Sequence, residues 1–349
     1  MDNEITDAAT QDAITRQLFA ILGVNYFSQR NPAPQPVSLA RVHLERFLTE
    51  DYLVCDKSDG VRLLLFLTTI DGKAYAVLVD RKLSFFEVRV AAARSYFQGS
   101  VFDGELVSVQ DCDLFLVFDC YAYKGGFQGH RQLLDRLSLL RDCFQLEGEE
   151  GDFRNPNFVS QQAGKGKIIC GGSSRGLSFR AKSFFQLRQL DTLLRQMKRQ
   201  LYPSDGLIFT PNSGPVEFGT SFRTFKFKEA HTLDVQTSEE GTLLLGLGGG
   251  PESAAQRVEL LQAEPLAEPS REVLTLAASQ PGKILEVLLQ WKDGRLRLEF
   301  QKMRNDKSHP NTVATLRKTL ESLRDELSVQ EILAHAIQAA RLQDDRRAA

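Results

Sequence analysis

The sequence predicts an α+β protein in two parts: an antiparallel-sheet domain ending near residue 230, then a smaller antiparallel five-stranded barrel with a C-terminal helix. Three observations predict it. Six segments between residues 52 and 123 are dense in Val, Leu, Phe and Tyr and are separated by Asp/Gly turns such as Asp71-Gly72, the pattern of successive short strands. A second group of short strand-like segments follows residue 230. The length of 349 residues, with 42% hydrophobic and 25% charged side chains, suits about two ordinary globular domains and excludes wholesale disorder.

Residues 1–36 are an N-terminal extension with a modest helical pattern (Ile14, Leu18, Ile21, Leu22) ending in the loop NPAPQP. The first domain, 37–230, opens with a short helix over Ser38 to Leu48, Ser38 as its N-cap and Leu39, Val42 and Phe47 on one face. The segments YLVC, VRLLLFLTTI, KAYAVLVD, LSFFEVRV, SVFDGELVSV and LFLVFDCYAY are its strands. Gly125, Gly126 and Gly129 break the sheet, and a helix follows around Gln132 to Cys143. Leu146 to Gly176 is polar and glycine-rich, a long loop. Phe184, Leu187, Leu190, Leu194, Met197 and Leu201 recur at helical spacing, and that helix ends before Pro203. GLIFT and TFKFK close the domain. In 231–349, HTLDVQ, GTLLLGLG, ILEVLLQW and RLRLEFQKM suit a barrel of OB type, with EPLAEPS as a surface loop. The tail from Thr312 to about Leu342 is helical, with Val313, Leu316, Leu320, Leu323 and Leu327 on its apolar side.

Charge narrows the function. Lys plus Arg is 43 and Asp plus Glu is 45, a net charge of -2 that excludes a strongly basic nucleic-acid wrapper and leaves room for a local basic cleft. No apolar run approaches the length of a membrane helix, and MDNEITDAAT has neither a basic n-region nor an apolar h-region, so a soluble intracellular protein is expected. Cys55, Cys112, Cys120, Cys143 and Cys170 form no CxxC pair and read as reduced thiols. No HExxH or Cys/His cluster suggests a transition-metal site. Gly246, Gly248, Gly249 and Gly250 make no phosphate-binding Walker loop, because Pro251 stands where Lys-Ser/Thr is needed. Arg180, Lys182, Arg188, Arg195, Lys198 and Arg199, opposed only by Asp191, read as a solvated helix face before an RNA contact.

Six short motifs remain. Lys57-Ser58-Asp59-Gly60-Val61-Arg62 lies between two strands; downstream come Phe102 to Val107 (FDGELV), Phe115 to Tyr121 (FLVFDCY), Ser204 to Phe209 (SDGLIF), Thr224 to Lys228 (TFKFK) and Met303 to Lys307 (MRNDK). Singly, each is an ordinary turn, strand face or core aromatic. Six such accidents in order are improbable.

The ordered set resembles the covalent nucleotidyltransferase superfamily, which comprises the mRNA capping guanylyltransferases and the ATP-dependent polynucleotide ligases. The resemblance spans residues 57–307 and implies a ligase-like (ATP-grasp/ligase-like) nucleotidyltransferase domain followed by an OB-fold. KxDG and RxDK are common to both branches; DGELV, FDCYAY, FKFK and the run RNDKSHPN look like the capping branch. An ATP-dependent DNA or RNA ligase that adenylates Lys57, and an inert RNA-binding scaffold, are the alternatives.

The resemblance implies that Lys57 attacks the α-phosphorus of GTP, pyrophosphate leaves, and the lysine-bound GMP passes to the 5′-diphosphate end of RNA. A free lysine is protonated at neutral pH and cannot attack; Lys226 and Lys228, two apart on one strand, would disfavour a third charge on Lys57. By the same resemblance, Arg62 and Arg81 contact the nucleotide, with Arg62 at the ribose. Asp103, Gly104, Glu105 and Asp205 form its binding wall. Phe118 stacks on the base, and Arg304, Asp306 and Lys307 clamp the β- and γ-phosphates. Mg²⁺ or Mn²⁺ is implied as cofactor, with Glu105 and Asp205 as its carboxylates. Neither an HCxxxxxR phosphatase loop nor room for a methyltransferase is present, so RNA triphosphatase and cap methyltransferase activities are expected on other chains. The transcription machinery is a further expected partner, a membrane is not, and a cellular form is expected in the nucleus.

Overall fold

The computed structural model describes residues 3–25, 33–110, 112–146, 167–170, 176–248, 256–305 and 307–348. The chain forms two compact units: Met1–Ser38, Glu45–Phe227 and Leu333–Ala349 make the first, Leu39–Leu44 and Lys228–Ile332 the second.

The larger sheet of the first unit has eight strands, with Val61–Ile70 between Ser100–Val109 and Lys73–Val79, and Cys112–Tyr123 beyond Ser100–Val109. Leu63, Leu65 and Leu67 pack on one face with Phe102, Phe115 and Phe179, while Leu64 and Phe66 pack on the other with Val77, Val79 and Tyr121. Both faces are covered, which is why VRLLLFLTTI reads as a continuous apolar run without alternation. The second face is covered by the helix Ala8–Leu22, through Ile14, Leu18 and Leu22. Asp7 caps its start by accepting from the Thr10 amide at 2.9 Å, and Gly23 at φ 64° ends it.

The smaller sheet has five strands in the order Pro34–Ser38, Gly219–Phe227, Ser204–Pro211, Tyr52–Ser58, Phe185–Gln186. Neither sheet is purely antiparallel. Pro34–Ser38 runs parallel to Gly219–Phe227, and Ser178–Ala181 parallel to Cys112–Tyr123, pairings that long connections permit. The loop NPAPQP thus ends as an edge strand, where prolines lose no needed ladder donor. The expected helix over Ser38 to Leu48 is a 3₁₀ turn at Arg41–His43 and a single turn at Arg46–Thr49; Phe47 and Leu39 are buried but Val42 is 76% exposed, so one apolar face never forms. The expected loop from Leu146 to Gly176 falls mostly outside the described residues, as do Gly249 and Gly250.

The second unit holds a six-stranded sheet, one strand more than expected, in the open order Arg257–Glu259, Leu243–Gly246, His231–Thr237, Ile284–Lys292, Arg295–Met303, Ala267–Pro269. EPLAEPS is structured after all: Ala267–Pro269 is the edge strand and Ser270 caps the helix Arg271–Ser279. Leu233, Val235, Leu285, Val287, Leu298 and Leu316 share its core. The C-terminal helix is two helices, Val313–Asp325 and Val329–Ala348, because Glu326 turns into the left-handed region at φ 48°.

Candidate active site

A cavity of about 240 Å³ opens in the first unit, and Lys57, Arg62, Glu105, Phe118, Lys182 and Lys226 are among the side chains lining it. Lys57 is the second-last residue of Tyr52–Ser58, before the Asp59-Gly60 turn. A side chain at Gly60 would fall on the Leu106 carbonyl oxygen, so the glycine lets this turn press against Ser100–Val109. Ser204 registers with Ser58 and Leu207 with Asp56, a bulge at which Asp205 meets Lys57. The Lys57 Nζ lies 2.7 Å from Asp205 Oδ1, with both side chains about a quarter exposed.

Arg62 crosses directly from Glu105 on the paired strand. Its Nε donates to Asp103 Oδ1 at 3.0 Å, its Nη2 to Asp103 Oδ2, and its Nη1 to the Pro34 carbonyl at 2.5 Å. The guanidinium stands 5.4 Å from the Phe118 ring centroid, a cation–π distance. Burial alone would lower the Arg62 pKa, but Asp103 outweighs it and carries it above its usual range. Tyr121 donates its hydroxyl to the same Asp103 carboxylate and, with burial and that charge, titrates well above an ordinary phenol. Asp103 is fully buried and faces Arg62 and Tyr121 behind the lining. Gly104, expected at the nucleotide, is likewise outside the lining: an added Cβ would stand 2.5 Å from the Phe115 ring and 2.8 Å from the Leu116 oxygen, so the glycine serves packing. Glu105 does line the cavity; burial raises its carboxyl above the ordinary value, against Arg62, Lys57 and Lys182.

Arg81 lines the cavity from an exposed turn held by Asp80, which accepts from the Lys82 and Ser84 amides at 2.8 Å each. Lys226 lies within Gly219–Phe227; Lys228 is one residue past that strand and opens the second unit. Arg304 and Lys307 belong to the second unit. There Arg304 contacts Asp234 at 3.1 Å and Glu286 at 3.2 Å, and Lys307 pairs with Asp234. Asp306 lies outside the described residues. Among the described residues no cluster of three or more His, Cys, Asp or Glu could hold a metal by itself.

Two features escaped the sequence reading. Lys182, expected on a solvated helix face, follows the strand Ser178–Ala181 and is buried, 2.6 Å from Ser58 Oγ and 3.1 Å from Asp56 Oδ2. It therefore ties down the residues on either side of Lys57. Asp119 of FDCY takes Arg136 in a buried two-point pair, at 2.7 and 2.9 Å. Both pairs join residues distant in sequence, so no local motif announces them.

The match to known sequences settles the branch. The model of the mRNA capping enzyme catalytic domain matches residues 3–230, and that of the mRNA capping enzyme C-terminal domain matches residues 215–333. The chain belongs to the mRNA capping enzyme family. It is 29% identical to the mRNA-capping enzyme subunit alpha of Neurospora crassa over 87% of this chain and 84% of that protein. It is 26% identical to the Schizosaccharomyces pombe subunit alpha over 86% and 79%, and 24% identical to the Saccharomyces cerevisiae one over 91% and 81%. Among solved structures it is similar to a mycobacterial DNA ligase D complexed with ATP and MES, at 16% identity and a TM-score of 0.42, covering 80% of this chain and 96% of that one. As a member of the capping family the chain is a nucleotidyltransferase.

Proposed function

We propose that this chain is the guanylyltransferase of the capping reaction and works through a covalent lysine–GMP on Lys57. The observation that carries this reading is the Lys57 amine, paired with Asp205 at 2.7 Å, on a cavity wall shared with Arg62, Glu105, Lys182 and Lys226. In the first step the Lys57 ammonium gives up one proton to solvent, the neutral Nζ attacks the α-phosphorus of GTP, and a second proton leaves the nitrogen as the phosphoramidate forms. An N–P bond forms, the bond from that phosphorus to the bridging oxygen breaks, and pyrophosphate departs with the oxygen. In the second step a terminal oxygen of the RNA 5′-diphosphate attacks the same phosphorus, the N–P bond breaks, the Lys57 nitrogen takes back two protons from solvent to restore the ammonium, and the GpppN end is complete.

Asp205 aims the amine, and the ion pair must give way as the proton leaves. Arg62, fixed from behind by Asp103, presents its free face and Phe118 to the nucleoside. Lys182 and Lys226 oppose the charge that gathers on the phosphate oxygens. The carboxylate oxygens of Glu105 and Asp205 suit a hard divalent ion, Mg²⁺ or Mn²⁺, which takes few protein ligands and completes its shell with water and phosphate. Those two residues would hold it, and when bound it would neutralise phosphate charge. We assign Arg304, Asp306 and Lys307 to the β- and γ-phosphates, Lys228 to the α-phosphate beside Lys226, and the second unit's sheet to the OB-type module. The relatives' name, subunit alpha, supports a partner subunit; we assign the triphosphatase and methyltransferase steps to separate chains and a cellular form to the nucleus.

The test is incubation with α-labelled GTP or ATP and Mg²⁺ or Mn²⁺, followed by denaturing electrophoresis. An acid-labile, base-stable label from GTP alone is expected. Label from ATP alone, or from neither, overturns the reading.

A further inference from the structure

We infer that the outer face of the helix Leu190–Met197 and its flanks, bearing Arg188, Arg195 and Arg199, docks the backbone phosphates of RNA behind its 5′ end. The inference rests on the proposed reading that RNA is the acceptor.

The helix packs inward through Leu190 and Leu193, both buried. Arg195 lies on the helix, Arg188 in the 3₁₀ turn Leu187–Gln189 just before it and Arg199 in the turn just after it, and all three are exposed, as is Lys198. The six basic residues of this segment do not act alike. Arg180 is buried and donates to Gln145 at 3.0 Å, and Lys182 is buried against Asp56, whereas the four that follow point to solvent. Within residues 180–199 the one acidic residue is Asp191, which pairs with Arg195. In a chain of net charge -2, this segment carries a local excess of positive charge. Three of the four are arginines, whose planar fork matches phosphate oxygens.

Position supplies the second line of support. Past Arg199 the chain turns through Tyr202 to Pro203, whose carbonyl accepts from the Asp59 amide at 2.9 Å, and Ser204 registers with Ser58 beside Lys57. Five residue steps, at most roughly 18 Å of chain, lead from Arg199 to Ser204. An RNA whose first phosphates lie at Lys57 would pass the Asp59-Gly60 turn and reach this stripe within a few nucleotides.

The experiment compares the full chain with a triple variant, Arg188→Ala, Arg195→Ala and Arg199→Ala. It measures filter binding of a 5′-diphosphate RNA of about 20 nucleotides across salt, and GMP transfer to that RNA and to a 5′-diphosphate mononucleotide. Loss of three phosphate contacts should flatten the slope of log affinity against log salt by roughly 2, at about 0.7 per contact for a single strand. Transfer to the RNA should fall roughly tenfold through KM, while transfer to the mononucleotide and GTP labelling of Lys57 stay at wild-type level. The corresponding triple Arg→Lys variant should recover most of the salt slope. An unchanged salt slope in the alanine variant overturns the inference, and so does a loss that falls equally on RNA and mononucleotide. Because RNA binding is read without GTP, a wild-type chain that formed no lysine–GMP would sink the reading of Lys57 and leave the test of the stripe intact.

Discussion

Two cation–carboxylate pairs flank the same cavity. Arg62 and Asp103 sit on adjacent strands with side chains 12% and 0% exposed, and Asp103 also accepts from Tyr121. Lys57 and Asp205 meet through a single contact, with side chains 23% and 28% exposed. A charge that must hold a substrate in place gains from being fixed on several sides, because the geometry is set before the substrate arrives. An amine that must lose its proton and attack gains from a partner it can leave. The difference separates the two pairs by what happens when each is broken: the buried pair should cost stability, the half-open one activity.

The largest effect belongs to the nucleophile. Lys57→Ala should abolish labelling by α-labelled GTP, and Lys57→Arg should abolish it too, since a guanidinium stays protonated. Both should unfold in urea within about 1 kcal/mol of wild type, as expected for a partly exposed pair. Residual labelling in Lys57→Arg would show that another residue carries GMP. Next comes Asp103→Ala, which strands Arg62 and the Tyr121 hydroxyl and should destabilise the first unit by about 3–5 kcal/mol. A loss below about 1 kcal/mol in urea unfolding would mean that Arg62 is not fixed as described. Asp205→Ala should reverse this balance, changing stability by under about 1 kcal/mol while slowing adduct formation roughly 10²-fold, the scale for a misplaced reacting group.

The half-open pair was the more legible of the two. Lys57 and Arg62 announce themselves because a lysine, an Asp-Gly turn and an arginine stand within six residues between two strands, and the turn chemistry is local. The strands that carry them are legible for the same reason. Asp103 was legible as a motif residue but not in its task, since the approach of Arg62 depends on strand pairing between distant segments. Lys182 is not legible at all: its partners Asp56 and Ser58 lie more than a hundred residues away, and in sequence it is one more cation beside a basic helix. The edge strand at Pro34–Ser38 was hidden by its prolines, which mark both loops and sheet edges.

Gly104 sharpens the comparison from the packing side. It stands between Asp103 and Glu105 and touches no substrate in this reading, yet Gly104→Ala would push a methyl into the Phe115 ring and the Leu116 carbonyl. About 1–3 kcal/mol should be lost in urea unfolding. The folded fraction should still label with GTP at a rate within a few-fold of wild type, unless the strand shift reaches Glu105.

Glu105 should give the smallest effect and the opposite sign. Burial raises its carboxyl above the ordinary 4.5, with Arg62, Lys57 and Lys182 opposing but not overcoming it. In the unfolded chain the same group ionises at its ordinary value. Once the pH exceeds that value, the folded state binds this proton more tightly than the unfolded state does, so stability falls until the folded group has also ionised, and the penalty then stays. Below the ordinary value both states are protonated and the penalty is gone. Glu105→Gln removes the charge and keeps the shape, so at pH 7 to 8 the variant should be more stable than wild type, by less than about 1 kcal/mol or roughly 2–4 °C in melting temperature. That gain should shrink as the pH is lowered toward 4, while lysine–GMP formation at neutral pH falls because a carboxylate at the cavity wall is lost. Parallel thermal melts at pH 8 and pH 4 decide it. A variant less stable than wild type at pH 8, with the deficit closing at pH 4, would mean that Glu105 is held by its cations in the folded state, and would move it from the releasable side of the comparison to the fixed side beside Asp103.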